Sequence, residues 1–95
     1  MTLDEFAAMT RNIISRDGFE GFQPTACFPA RRNIAVLAGL PDDVDVEIAS
    51  LEWAAQKCAP GEEALVAFKI SPSQFKIVRR HGSETQEATY SVAQE

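Results

Sequence analysis

Glycine and proline partition this chain more sharply than any other feature of it. All five glycines, Gly18, Gly21, Gly39, Gly61 and Gly82, fall between periodic segments and never inside one. There a left-handed or extended backbone costs little and no packed side chain is lost. Pro24, Pro41, Pro60 and Pro72 occupy the same gaps, and Pro29 closes a short apolar run, where a missing N–H is tolerated. The segments left between are short, and 95 residues leave no length for two cores, so residues 1–95 are expected to form one domain. No glycine is left for a phosphate-cradling loop: G-x-G-x-x-G, G-x-x-x-x-G-K-[ST] and G-x-S-x-G do not occur.

Residues 3–17 read as a helix. Thr2 and Glu5 have the spacing of a capping box, Leu3, Phe6, Ala7, Ile13 and Ile14 share a stripe, and Gly18 supplies the stop. Residues 25–28 form a short strand. The 30–33 turn leads into 34–38, which is apolar on both faces and on that ground is assigned a central place in the sheet. Residues 43–58 carry two patterns. Val44, Ile48, Leu51, Ala55 and Cys58 make a helical stripe, whereas 43–48 also alternates as a half-buried strand would; the helix unifies more residues and is preferred. After Pro60-Gly61 the period drops to two, giving strands at 65–70, 75–80 and 86–92. The expected fold is α+β in the order α-β-β-α-β-β-β. It comprises a mostly antiparallel five-stranded sheet with both helices packed on one face.

Composition limits the chemistry. Nine Lys and Arg against fourteen Asp and Glu give a formal charge of −5, which disfavours nucleic acid as a partner. The amino-terminal residues are acidic where a secretory signal is basic, and no apolar run approaches the ~20 residues that cross a bilayer. The expectation is a cytoplasmic protein without a membrane partner, its two cysteines, Cys27 and Cys58, reduced. One histidine and no C-x-x-C leave no zinc site of usual spacing, so neither a metal nor a cofactor is expected. The acidic run 42–47 fails as a calcium loop: a frame beginning at Asp43 puts Ile48 where glycine is required and Ala54 where glutamate is required. These carboxylates fit a helix N-terminus instead.

Short connections bring the 30–33 and 81–85 turns to one end of the sheet. Arg31, Arg32, Arg79, Arg80 and His81 should gather there, with Cys27 and Cys58 close by. Such a cluster would receive a carboxylate or phosphate through arginine forks. The bland alternative is that paired arginines at hairpin ends only solubilise the neighbouring apolar strands. A thiol enzyme using Cys58 or Cys27 with His81 as base ranks third. A helix C-terminus raises a thiol pKa, and Cys58 completes an apolar stripe.

On a helical wheel Val46, Ala49 and Trp53 lie opposite the Val44–Ile48–Leu51 stripe. An outward tryptophan would form an interface for a protein partner or a second copy of the chain. A non-catalytic interaction or regulatory module, with no catalytic residues, is therefore the first expectation. A protein that binds an anionic small molecule at the arginine end is the second.

Overall fold

The computed structural model describes residues 1–93. Helix α1 spans Leu3–Asp17 and begins as its capping box dictates. The Glu5 amide donates to Thr2 Oγ1 at 3.1 Å, and the Thr2 amide donates to Glu5 Oε1 at 2.9 Å. Gly18, at φ 87°, ends the helix by donating to the Ile14 carbonyl at 2.7 Å. Strand β1 (Thr25–Phe28) passes through one 3-10 turn, Pro29–Arg31, into β2 (Asn33–Val36). Helix α2 (Val46–Lys57) and strands β3 (Ala64–Ser71), β4 (Gln74–His81) and β5 (Glu84–Ser91) complete the chain. The fold is α+β in the order α-β-β-α-β-β-β, with five strands arranged β2-β1-β3-β4-β5 and every neighbouring pair antiparallel.

The helices do not share a face of this sheet; they cover opposite faces. Helix α1 packs Phe6, Ala7 and Ile14 onto Cys27, Leu65, Ala67, Phe75 and Ile77. Helix α2 packs Ala54, with Val46, Leu51 and Trp53 beside it, onto Ala26, Phe28, Val66, Phe68 and Val78. Alternation along each strand is the reason: successive side chains point to opposite faces, and β1 and β3 are apolar at successive positions. Residues 64–68 and 25–28 are buried without interruption, so a layer on one side alone would leave half of these side chains in water.

Two further expectations are corrected. Strand β2 lies at the sheet's edge, with Ile34 46% and Val36 55% exposed. The centre belongs to β3, with β1 beside it, all four residues of β1 being buried and the strand paired with both β2 and β3. An apolar composition on both faces is thus shared by a central strand and an uncovered edge strand. Helix α2 is shorter than 43–58 and starts where Asp45 Oδ1 accepts the Ile48 amide at 3.0 Å. Its inward face is also rotated from the wheel's assignment: Leu51 and Cys58 pack beside the sheet as expected, but together with Val46 and Trp53. Ser50 and Ala54 are buried against the sheet with Val46, Ala49 and Trp53 half-buried, whereas Ile48 is 56% exposed and Val44 37%. Small residues four apart allow the helix backbone close to the sheet. That approach decides the inward face over the larger but flanking Val44–Ile48 stripe.

Candidate functional site

The 29–32 turn, the 58–63 loop and the 81–84 turn lie at one end of the sheet, since Cys27 pairs with Leu65 and Ala64 with Arg80. The basic residues are carried to this end and then divided by the sheet between its two sides. Arg79 shares the α1 face with Leu65 and Gln86, its cross-strand neighbours. Its Nη2 and Nε approach Glu63 Oε2 at 2.6 and 2.7 Å, and Nε also donates to the Met1 carbonyl at 3.1 Å. His81 Nδ1 stands 3.5 Å from Arg79 Nη2. Burial pushes the Glu63 carboxyl up, but Arg79 and the terminal ammonium outweigh it and hold the group below the ordinary glutamate value.

Arg31 is engaged in the same way at the other side of this end. Its Nε and Nη2 donate to Glu62 Oε2 and Oε1 at 2.7 and 3.0 Å, and Nη2 also reaches the Lys57 carbonyl at 2.7 Å. The guanidinium lies 4.5 Å from the centre of the Phe28 ring. The Arg31 hydrogen bond and the Ala59 amide keep the Glu62 carboxyl low. Two of the four arginines are thus committed to carboxylates of the chain itself. Arg32 is exposed in a left-handed conformation (φ 51°), and Arg80 and His81 are exposed. Among the described residues Arg80 has no acidic partner. A single basic cluster therefore does not form, because consecutive Arg79 and Arg80 must point to opposite faces.

Arg80 stands on the α2 face at the mouth of a groove of about 250 Å³. The floor of this groove is Ala54, Ala64, Val66 and Val78, and Leu51 and Cys58 close one side. The Cys58 thiol donates to the Glu62 carbonyl at 3.2 Å, and burial and the nearby Glu62 carboxylate push its pKa up. Cys27 lies on the α1 face, where burial first and Glu63 second push its thiol up as well. His81 is on the face away from Cys58. It is also two strands from Cys27, a lateral separation of about 10 Å. No thiol–imidazole pair is present among the described residues. Nor is there a group of three or more His, Cys, Asp or Glu placed to hold a metal. The acidic run resolves into a cap at Asp45 and an ion pair from Glu47 to Lys76 Nζ at 2.8 Å.

Sequence reasoning missed the edge of β2. The Leu37 amide donates to the Pro24 carbonyl at 2.8 Å, so residues 33, 35 and 37 bond towards β1. The N–H and C=O groups of Ile34 and Val36 accordingly point off the sheet, and these same two residues expose their side chains. The opposite edge, β5, carries Glu84 and Glu87, both exposed. From Asn33 to Pro41 there is no charged residue at all, and that stretch was the available signal.

Of the residues expected to form an outward interface, Val46 and Trp53 are half-buried and pack beside the α2-side cluster, Ala49 is half-buried, and α1 lies on the other face of the sheet from Trp53. No helix among the described residues is long and apolar enough to cross a membrane. Comparison with protein families, with curated proteins and with solved structures finds no match.

Proposed function

We propose that this protein is a non-catalytic interaction module that works by pairing its β2 edge with the β2 edge of a second copy. The observation that carries this reading is the difference between the two sheet edges. One carries two exposed carboxylates, Glu84 and Glu87, while the other presents unpaired backbone groups and exposed side chains at Ile34 and Val36 with no charge from residue 33 to 41. Proteins guard exposed strand edges with charge or proline unless the edge is used.

Self-pairing suits the charge arrangement. Arg32, exposed and next to the Glu62-bound Arg31, precedes β2, whereas Asp42, Asp43 and Asp45 follow it, and Asp17 borders the same shallow groove as Val36. Antiparallel pairing about a two-fold axis sets the basic end of each β2 beside the acidic end of the other. The apolar side chains of Ile34 and Val36 from both copies then meet on one face, beside Ile13 and Phe22.

Sedimentation velocity over a concentration series tests the reading. The expected result is a dimer that Ile34→Lys and Val36→Lys each convert to a folded monomer, while Ile48→Lys, exposed but away from the edge, leaves the dimer intact. A wild-type chain that sediments as a monomer throughout would overturn it.

A further inference from the structure

We infer that the groove between α2 and β4 is a binding site for a small aliphatic monocarboxylate, its carboxylate on Arg80 and its hydrocarbon body on Val66 and Val78. This goes beyond the edge-pairing reading and uses the opposite face of the sheet.

Three observations combine. Helix α2 packs chiefly over β3, so an apolar surface remains open between the helix and β4 at the end of the sheet where the helix finishes. Most of the side chains that face this space are hydrocarbon, Leu51, Ala54, Val66 and Val78 among them, with Cys58 and Glu62 at the end of the helix. The charges around it are otherwise balanced: Arg31 neutralises Glu62, and Lys76, further along the same face of β4, is held by Glu47 and Glu87 at 2.8 and 3.4 Å. Arg80 is left as the cation at the rim with no ion pair among the described residues; the carboxylate that shares this lining, Glu62, is held by Arg31, and the cross-strand neighbours of Arg80 are Ala64 and Thr85.

The chemistry of the ligand follows from those walls. One guanidinium fork matches one carboxylate in a bidentate pair. A phosphate dianion would need further donor side chains, and apart from Arg80 the side chains lining the groove are apolar, the Cys58 thiol or the Glu62 carboxylate. A groove of about 250 Å³ with a largely apolar lining and one cation suits a medium-length alkyl chain that ends in a carboxylate. The Cys58 thiol takes no part in bond making, since it is turned to the Glu62 carbonyl and disfavours ionisation.

The test uses octanoate as probe, with octan-1-ol and inorganic phosphate as controls, followed by amide chemical shifts in ¹⁵N-labelled protein. Octanoate is expected to shift Val66, Val78 and Arg80 in a saturable way, with the two controls binding at least tenfold more weakly. Arg80→Ala, at an exposed position, should keep the folded spectrum and lose about tenfold in affinity. Ala55→Trp, which fills the groove from the exposed flank of α2, should abolish binding. Equal affinity for octanol or for phosphate, octanoate binding undiminished in Arg80→Ala, or no shift at the groove would each overturn the assignment. None of these outcomes depends on the oligomeric state, so the site and the β2 interface stand or fall separately.

Discussion

Arg79 Nη2 lies 2.6 Å from Glu63 Oε2, and both side chains are less than one-fifth exposed, at 16% and 13%. The pair joins β4 to the residue that leads into β3, and through the Met1 carbonyl it also anchors the start of α1. Because Glu63 sits below its ordinary pKa when folded, its stabilisation is fully present above the unfolded value and is lost as pH falls through the folded one. Stability should therefore hold from neutral pH down to about pH 5 and decline below about pH 4. Glu63→Gln should cost about 2 kcal/mol at pH 7, roughly 10 °C in midpoint, and flatten the acid limb of the profile. Thermal melts at closely spaced pH values check both; an unchanged acid limb would contradict the assignment.

Tyr90 is the one tyrosine, so its ionisation can be followed directly by ultraviolet absorbance. It stacks on Phe75 at 5.6 Å and donates its hydroxyl to Asp4 Oδ1 at 3.0 Å. Burial, then that hydrogen bond, pushes the phenol up to about 12. The raised value implies stability that is present below pH ~10 and is lost as pH rises through the folded value. Asp4→Asn should move the titration towards ~10. A wild-type midpoint already near the free phenol value would show that β5 does not dock on α1 in this way.

The thiols should be slow. Both are pushed above their ordinary value, Cys27 buried and Cys58 half-buried. Titration of folded protein with a disulfide reagent at pH 7.5 should modify Cys58 first and Cys27 only on unfolding, the Cys58 rate climbing above pH ~8.5. Intact-mass measurement of Cys58→Ser after the same exposure should show no label. Rapid reaction of either thiol at neutral pH would return a nucleophilic role to consideration.

Paired substitutions in α2 read out which face packs. Trp53 lies on the sheet-facing cluster, whereas Ile48 is 56% exposed. Trp53→Ala should cost about 2 kcal/mol, less than a fully buried aromatic because its ring is part-exposed, and Ile48→Ala within about 0.5 kcal/mol. Urea unfolding curves with equal slopes give the comparison. Similar costs at both positions would mean that the helix is rotated from the orientation described.

The element order was legible because each signal is local. A capping box at Thr2 and Glu5, a glycine stop at Gly18, and the period of two after Gly61 depend only on neighbouring residues. The arrival of Arg31, Arg79 and their neighbours at one end was legible for a related reason: short connections and alternating strand direction leave few other paths. Their division was readable in principle from the adjacency of Arg79 and Arg80, because a period of two sends neighbours to opposite faces.

What the residues alone determined about this protein is thus its segments, their order and the polarity of its ends. The tertiary structure decided which strands are central, which helix covers which face, and which charges are already satisfied. Ile34 and Val36 read like core residues and lie at an edge, and Arg31 and Arg79 read like ligand-binding cations and are held by Glu62 and Glu63. Those outcomes depend on partners distant in sequence, Arg31 to Glu62 across 31 positions among them. Burial and charge pairing are properties of an assembled surface, and no local pattern specifies which surfaces will meet.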